Sequence, residues 1–337
     1  MAGKRVAILG ATGLVGQKVI EMLVERKFPL ACLRLLATSR TAGSFIRVLD
    51  EELRVEAVGP DSFRGIDLCF FAATAAASKQ FAPTAVESDA VVIDKSSAFR
   101  MDPEVPLVVP EVNPHHLRSH RGVIASPNCS TIQLVVPLKP IEASVGISRV
   151  VVSTYQSVSG TGKDAMEELR DQTDDALHGR PVRTTVYDRQ IAFNLIPQVD
   201  EFMQDDYTGE EWKMVLETRK ILERPDLPIT ATCVRVPVFV SHSESVLIET
   251  RTQVRPSDIR SLLSTAPSVV VVDNPAERRY AVPLDAEGSD NVLVSRVRRD
   301  LSHERGIWMW IVCDNLRKGA ATNAVQIAES LMVQGLL

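Results

Sequence analysis

The sequence predicts two domains, a doubly wound parallel α/β domain and an α+β domain whose sheet is mostly antiparallel. Over the first hundred residues, short apolar runs alternate with longer amphipathic ones, which is the βαβ pattern of parallel sheets. Beyond Cys129, β-branched runs follow one another at hairpin spacing, which is typical of antiparallel sheets. The length of 337 residues agrees with two domains, at roughly 150 residues each.

The first domain is predicted to begin with a strand, a helix and a second strand. Residues 6–9 and 68–71 are apolar throughout, as expected where helices cover both faces of a parallel sheet. On the first helix, Val15, Val19 and Met22 share one face, which is the helical period. The predicted strands are residues 5–9, 33–38, 68–72 and 90–93, and the predicted helices are residues 14–25 and 75–87.

The second domain is predicted to open with a helix at residues 129–143. No repeat or linker-like tract separates the two domains, so we expect the second to be inserted into the first. The chain ends in an amphipathic helix at residues 319–332. The other predicted elements are strands at residues 149–155, 230–236, 245–254, 269–272, 292–298 and 306–313, and helices at residues 165–177, 210–221 and 256–263.

Composition excludes several classes of protein. Aromatic residues make up 5% and the net charge is −5, which argues against a nucleic-acid partner. No apolar run reaches the roughly 18 residues of a membrane-spanning helix, so no membrane association is expected. The five cysteines form no CxxC pair, which argues against a disulfide framework and a metal site. We therefore expect a cytoplasmic protein without a metal.

A glycine loop follows the first predicted strand, in the pattern G-x-x-G-x-x-G at Gly10, Gly13 and Gly16. Such glycines permit a tight turn and a close approach of the backbone to a pyrophosphate, which the next helix N-terminus stabilises. The second strand ends in Ser39 and Arg40 instead of an acidic residue. A guanidinium there can pair with a 2′-phosphate, which predicts NADP over NAD; the alternative is a solvated surface arginine.

A second glycine loop at residues 159–163 superficially resembles the phosphate loop of nucleotide triphosphatases. It fails that template twice, because Ser157 stands where the first glycine belongs and Asp164 replaces the magnesium-binding hydroxyl. The sequence therefore argues against ATP hydrolysis. Because a glycine-rich backbone can pack against a flat ring, this loop is instead expected to border the cofactor.

Cys129 is the candidate nucleophile. It lies in a polar turn that opens the helix at residues 129–143, and a helix N-terminus stabilises a thiolate. The same N–H groups can hold an oxyanion, and a thioester next to a nicotinamide can accept hydride. The remaining cysteines have apolar neighbours and are expected to be buried and inert: Cys32, Cys69, Cys233 and Cys313.

His242 is the candidate base, because a polar cluster surrounds it at the end of an apolar run. Arg235 lies inside that run, where a buried guanidinium needs a partner. Residues seven apart on one straight strand face opposite ways, but Pro237 interrupts this strand, so periodicity leaves their convergence open. The other histidines lie in polar or charged segments: His115, His116, His120, His178 and His303.

Several motifs occur together in one order. They are the glycine loop at residues 10–16, Ser-Pro-Asn-Cys-Ser-Thr at residues 126–131, Gln156 after a strand, Arg235 with His242 seven residues on, and Asp-Asn-Leu-Arg-Lys-Gly-Ala at residues 314–320. Over nearly the whole chain this combination closely resembles the aspartate-semialdehyde dehydrogenases. The resemblance implies a Rossmann-type NADP-binding domain of residues 1–128 and 315–337, and a catalytic and dimerisation domain of residues 129–314.

The resemblance also implies a reaction and a site. The reaction is the NADPH-dependent reductive dephosphorylation of L-4-aspartyl phosphate to L-aspartate 4-semialdehyde and phosphate, in lysine, threonine and methionine biosynthesis. Cys129 would form a thioester, His242 would be the general acid/base and Gln156 would position the intermediate. Arg235 would clamp the substrate carboxylate, and Glu210, or its neighbour Glu211, would meet the substrate amine. Arg100, Lys213 and Asn128 would surround the phosphate.

By the same resemblance, the protein would be a homodimer or a tetramer. The positions that match cofactor contacts are Gly10, Thr12, Gly13, Leu14, Val15, Gly16, Ser39, Arg40, Ser159, Gly160 and Asn315. Two alternatives remain open. One is an N-acetyl-γ-glutamyl-phosphate reductase, whose nucleophile typically follows glycine, whereas Asn128 stands here. The other is a non-catalytic NADP-binding paralogue, against which the retention of all the catalytic positions argues.

Overall fold

The computed structural model describes residues 3–39 and 41–337, and the chain divides into two units. The first unit comprises Met1–Asn128 and Ala320–Leu337, and the second comprises Cys129–Gly319. The first unit resumes at Ala320, whereas the resemblance implies a cofactor domain that resumes at Asn315. The Asn315 side chain accepts hydrogen bonds from Ser157 and Ser159 of the second unit.

A seven-stranded sheet forms the first unit, with the strand order β3-β4-β2-β1-β5-β6-β7. Every neighbouring pair is parallel except the hairpin of β3 and β4, which the sequence analysis did not predict. In chain order the elements are β1 (Lys4–Leu9), α1 (Leu14–Glu25), β2 (Leu30–Ala37), β3 (Phe45–Val48), β4 (Glu51–Ala57), β5 (Leu68–Phe71), α2 (Ala75–Glu87), β6 (Val91–Asp94) and β7 (Val123–Ala125).

The central strands of this sheet are buried on both faces. Along β1, Val6 and Ile8 pack into one hydrophobic cluster, whereas Ala7 and Leu9 pack into another. The period of two in a strand assigns alternate residues to the two faces, and helices cover both. This confirms the predicted doubly wound arrangement and explains why the buried part of the strand, Val6–Leu9, is apolar throughout.

One expectation about this unit is wrong: Cys32 is exposed. β2 pairs with β4 only from Leu35 to Ala37, so the earlier part of β2 extends beyond the neighbouring strand. Apolar sequence neighbours therefore did not indicate burial at this position. The protein has an accessible thiol far along the chain from Cys129, which matters for any labelling experiment.

The second unit contains a six-stranded sheet of order β11-β12-β13-β10-β8-β9. Its central pairs are antiparallel, whereas β8–β9 and β11–β12 are parallel, which confirms the predicted mostly antiparallel α+β domain. The elements are α3 (Cys129–Val145), β8 (Ile147–Gln156), α4 (Lys163–Leu177), α5 (Gly209–Ile221), β9 (Ile229–Arg235), β10 (His242–Thr250), α6 (Pro256–Ser264), β11 (Val269–Val271), α7 (Pro283–Ala286), β12 (Val292–Arg299) and β13 (Gly306–Cys313).

The two faces of the second sheet differ in exposure. On β10, Glu244, Val246 and Ile248 are buried, whereas the alternating residues Ser245, Leu247 and Glu249 are half-buried. The same alternation runs along β8 and β13. One face is therefore covered by helices of its own unit, and the other is an incompletely covered surface.

The chain returns to the first unit through a π-helical turn, Arg317–Ala321, followed by α8 (Thr322–Val333). The predicted helix therefore exists, but its first residues form the wider turn. Within residues 3–39 and 41–337, no helix is long and apolar enough to cross a membrane.

Candidate active site

The three glycines of the first unit's loop differ in the space around them. Gly10 has a φ of +86°, and a Cβ on Gly16 would lie 2.1 Å from the Gly10 carbonyl oxygen. These two positions therefore require glycine for the fold itself. A Cβ on Gly13 would meet nothing closer than 3.5 Å, and no side chain caps the start of α1 there. The exposed backbone at Gly13 suits a pyrophosphate.

The loop after β2 lies next to this glycine loop. The hydroxyls of Thr12 and Thr41 are hydrogen-bonded at 3.1 Å, which ties the two loops together. Ser39 is exposed directly after β2. Arg40, on which the predicted NADP preference depends, lies outside the described residues.

Arg100 of the first unit is buried, and backbone carbonyls hold its guanidinium. Nε donates to the Ser126 carbonyl at 3.2 Å, and one terminal nitrogen donates to the Lys95 carbonyl at 2.7 Å. Both of these acceptors are backbone carbonyls. Asn128, the last residue of the first segment of this unit, is also buried.

In the second unit, three strand ends bring together residues that are distant in sequence. Gln156 ends β8 and pairs in register with Arg235, which ends β9. His242 begins β10, on the other side of β8. A Cβ on Gly160 would lie 3.1 Å from an Arg235 guanidinium nitrogen and 3.3 Å from His242 Nε2. Arg235 and His242 therefore converge on Gly160, which the sequence pattern left open.

The environment of His242 assigns its ring protons. The Ser157 backbone N–H donates to His242 Nδ1 at 3.0 Å, so Nδ1 is an acceptor and the neutral ring carries its proton on Nε2. Nε2 is buried without a hydrogen-bond partner among the described residues. Burial, and then the charge of Arg235, lower the pKa of His242 well below its ordinary value. The ring is thus a neutral donor aimed at Gly160.

Asn315 connects the segment at Ser157 and Ser159 to Ser241, the residue before His242. Its Oδ1 accepts from the hydroxyls of Ser157 and Ser159 at 3.1 Å each, and from the Ser241 backbone N–H at 2.9 Å. Ser157 Oγ also lies 3.0 Å from His242 Nδ1. The side chains of Asn315 and Ser159, predicted as cofactor contacts, are therefore engaged within the unit, and they position the histidine.

The two neighbouring glutamates on α5 have different surroundings. Glu211 forms the capping box of the helix with Thr208, and it accepts the Cys233 backbone N–H at 2.9 Å. Glu210 instead accepts from Gln156 Nε2 at 3.1 Å. The Glu211 carboxylate is therefore bound to backbone N–H groups, whereas the Glu210 carboxylate is bound to Gln156.

Lys213 lies between two carboxylates. Its Nζ is 2.7 Å from Asp200 Oδ2 and 3.2 Å from Glu210 Oε2. Burial lowers the pKa of Lys213, but these carboxylates outweigh burial and raise it above its ordinary value. The ammonium is therefore a permanent positive charge at this position.

The sequence analysis missed two of these residues, Ser157 and Asp200. Ser157 was noted only as a departure from a phosphate loop, and its position directly after Gln156 was the available signal. Asp200 has a positive φ of 72° and packs against Gly209, neither of which a sequence pattern reveals. A cavity of about 460 Å³ in this unit is lined by Arg235 and Asp200 together with Thr161, Tyr187 and Arg189.

Cys129 is the first residue of α3 and is half-buried. A Cβ on Gly319 would lie 3.0 Å from Cys129 Cβ, so the backbone at Gly319 packs closely against Cys129. Burial raises the pKa of Cys69, Cys233 and Cys313, and these thiols stay protonated. Among the cysteines, only Cys129 and Cys32 are open to solvent.

A glycine loop between a strand and a helix in one unit, and a half-buried cysteine, a neutral histidine and a buried arginine in the other, agree with a nicotinamide-dependent oxidoreductase. Two family models match these units. The model of the semialdehyde dehydrogenase NAD-binding domain matches residues 5–120, and that of the semialdehyde dehydrogenase dimerisation domain matches residues 138–318.

Individual relatives of known name identify the family within the semialdehyde dehydrogenases. The aspartate-semialdehyde dehydrogenase of Aquifex aeolicus (strain VF5) is 50% identical, over 99% of this chain and 100% of its own. The structure of aspartate-semialdehyde dehydrogenase II of Vibrio cholerae, complexed with ASA, is 46% identical with a TM-score of 0.95, over 99% of both chains. That of Candida albicans with NADP is 25% identical with a TM-score of 0.79, over the whole of both chains. The chain belongs to the aspartate-semialdehyde dehydrogenase family and is an oxidoreductase of amino-acid biosynthesis.

Proposed function

We propose that the protein catalyses the NADPH-dependent reductive dephosphorylation of L-4-aspartyl phosphate to L-aspartate 4-semialdehyde and phosphate, in lysine, threonine and methionine biosynthesis. The observation that carries the proposal is the convergence of Arg235 and His242 on Gly160, with Gln156 paired in register with Arg235. A small acidic aldehyde needs a carboxylate clamp beside a proton donor, and this arrangement supplies both. The Vibrio cholerae relative complexed with ASA supports the same substrate.

The residues of the first unit fit a nicotinamide dinucleotide. The open backbone at Gly13 accommodates a pyrophosphate, and α1 supplies N–H groups to it. NADPH supplies the hydride when bound. Arg40 would distinguish the 2′-phosphate, and the Candida albicans relative with NADP supports that preference. The residues proposed to contact the cofactor are Gly10, Thr12, Gly13, Leu14, Val15, Gly16, Ser39, Arg40, Ser159, Gly160 and Asn315, the last acting chiefly through its neighbours.

Cys129 is the proposed nucleophile. Its thiolate sulfur attacks the acyl carbon, the C–O bond to phosphate breaks, and a thioester forms with release of phosphate. Cys129 is the first residue of α3, and the positive end of a helix dipole stabilises a thiolate and an oxyanion.

His242 and Gln156 are the proposed acid/base and positioning groups. Because Nδ1 accepts the Ser157 N–H, the proton that His242 exchanges is the one on Nε2. Nε2 donates it toward the oxygen on which negative charge develops, and recovers it when the aldehyde is released. Gln156 is held by Glu210 and orients the same carbonyl group.

The charged residues are proposed to bind different groups of the substrate. Arg235 is proposed to clamp the substrate carboxylate with two parallel hydrogen bonds. Glu210 is proposed to meet the substrate amine, because Glu211 is already bound to the backbone. Arg100, Asn128 and Lys213 are the proposed phosphate site, whose positive charges favour an incoming dianion.

We also propose a homodimer, or a tetramer built from it, in the cytoplasm. The uncovered face of the second sheet carries Tyr155, Trp310 and Leu247, which are half-buried. The rings of Tyr155 and Trp310 pack against each other at a tilt, with their centroids 5.4 Å apart. A second copy of the same face would cover these apolar side chains, and the matching family model is that of a dimerisation domain. Residues 1–128 and 315–337 would be the NADP-binding part, and residues 129–314 the catalytic and dimerisation part.

The test follows nicotinamide absorbance with NADP, phosphate and aspartate semialdehyde for the wild type, Cys129→Ala and the control Cys32→Ser. We expect turnover by the wild type and by the exposed-thiol control, and a loss of at least about 10³-fold in Cys129→Ala. N-acetylglutamate semialdehyde is the competing substrate, and a preference for it would establish the alternative reductase. No turnover with either aldehyde would leave a non-catalytic NADP-binding protein.

A further inference from the structure

A carboxyl group without a cation lies in the core of the second unit. Glu244 is completely buried, and neither of its carboxylate oxygens has a hydrogen-bond partner among the described residues. Gln133 is also completely buried, and both ends of its amide lack a partner as well. Two such groups in one core call for an explanation, since nearly all buried polar atoms in native proteins are paired.

Gln133 and Glu244 lie on two packed elements of the second unit, α3 and β10. Gln133 lies on α3, one helical turn after Cys129, and Glu244 lies on β10, two residues after His242 and on the same face of the strand. Gln133 approaches the carboxyl group as its hydrogen-bond partner, without reaching full hydrogen-bond geometry. Each residue therefore lies on the same element as one of the two proposed reacting side chains, four residues after Cys129 and two residues after His242.

The surroundings of Glu244 favour its uncharged form. Burial raises the pKa of Glu244 well above its ordinary value, Gln133 partly offsets this, and the negative charge of Glu210 adds to it. A buried carboxylate without a cation is costly, so the proton is retained. The titratable groups that face it are Glu210 on α5, Cys233 on β9, Cys313 on β13 and His242 on its own strand.

We propose that Glu244 and Gln133 form a neutral acid–amide pair that ties α3 to β10. A protonated carboxyl group donates to the amide oxygen and accepts from the amide nitrogen, which satisfies both groups at once. The pair fixes the distance between the nucleophile's helix and the base's strand. Glu244 and Gln133 are thus positioning residues, and the inference rests on the roles proposed for Cys129 and His242.

The experiment compares the wild type, Glu244→Gln, Glu244→Leu and a matched control on the same strand. The control is Glu249→Gln, whose carboxylate is paired with Arg149 near the surface. Because an amide can replace a neutral acid in such a pair, Glu244→Gln should keep kcat/KM within about threefold. Glu244→Leu should lower kcat at least about tenfold and change KM less, because two reacting groups lose their alignment.

Stability against pH supplies a second readout that does not depend on turnover. The folded chain holds a proton on Glu244 that the unfolded chain releases above about pH 4.3, so stability falls as pH rises. The unfolding constant of the wild type should therefore rise relative to that of Glu244→Gln, by up to about tenfold per pH unit. Glu249→Gln should show no such divergence.

Two results would overturn the proposal. One is a constant difference in stability between the wild type and Glu244→Gln from about pH 5 to about pH 9. The other is a loss of kcat in Glu244→Gln as large as in Glu244→Leu, which would mean that the carboxylate charge itself is required. Wild-type turnover is measured first, because its absence would remove the proposed reaction while the unfolding comparison still tests the pair.

Discussion

Replacing Asn315 with alanine removes the acceptor on which three donors converge. Its Oδ1 holds the hydroxyls of Ser157 and Ser159 and the backbone N–H of Ser241. Ser241 directly precedes His242 and has a positive φ of 75°, which a serine adopts only when its surroundings impose it. The substitution thus tests whether Asn315 supports the fold alone or also the position of the base.

The expected magnitude follows from which donors can find a new partner. The Ser157 and Ser159 hydroxyls already lie 3.1 Å apart and can bond each other. The Ser241 N–H cannot turn, and leaving it unpaired costs about 1–3 kcal/mol. The space left by the amide adds about 1 kcal/mol. We expect the free energy of unfolding of the second unit to fall by about 2–4 kcal/mol, and kcat/KM to fall about 10–100-fold as His242 loses its position.

Tryptophan fluorescence during denaturant unfolding measures the first quantity, because all three tryptophans, Trp212, Trp308 and Trp310, belong to the second unit. Asn194→Ala is the matched control, since Asn194 is exposed in the same unit and should change stability by less than about 0.5 kcal/mol. A stability loss without any change in kcat/KM would contradict a positioning role. An unchanged unfolding midpoint would contradict the hydrogen-bond assignment itself.

Other substitutions test the cofactor loop, its specificity and the histidine. Gly16→Ala places a Cβ 2.1 Å from the Gly10 oxygen and should destabilise the first unit severely, whereas Gly13→Ala meets that oxygen at only 3.5 Å and should destabilise it less; unfolding followed by circular dichroism compares them. Arg40→Ala should raise the KM for NADPH about tenfold or more and leave that for NADH unchanged, and equal effects on both would remove the proposed preference. Because burial lowers the pKa of His242, the folded chain binds fewer protons there than the unfolded chain, so this residue's contribution to stability rises with pH up to about pH 6.5. In His242→Asn, the free energy of unfolding should lack this dependence on pH. An acid limb in the pH profile of kcat/KM that is assigned to His242 at or above that pH would refute the neutral ring.

The sequence predicted the overall fold because its signals are local. Apolar runs at a period of two and amphipathic runs at a period of 3.6 recur where the structure has strands and helices. The hairpin of β3 and β4 was missed because its strands are short and rich in charge at the edge of the sheet. Cys32 was misjudged because exposure depends on where a neighbouring strand ends, and no residue near Cys32 reports that.

The site divides in the same way between local and distant information. Cys129 was predicted to begin a helix because a polar turn before a helix is visible in the sequence, and it is the first residue of α3. The convergence of Arg235 and His242 was not, since it depends on β8 lying between their two strands. Asp200 and the hydrogen bonds of Asn315 connect segments more than ten residues apart, which periodicity does not register.

The division of the first unit into two chain segments has a consequence for synthesis. α8 supplies Ala324, Ile327 and Leu331 to the same hydrophobic cluster as Val6 of β1. A ribosome must therefore translate the whole second unit before the core of the first can close. Until then the nascent sheet keeps an apolar face without its helix, and we expect chaperones that bind exposed hydrophobic surface to engage the chain during that interval.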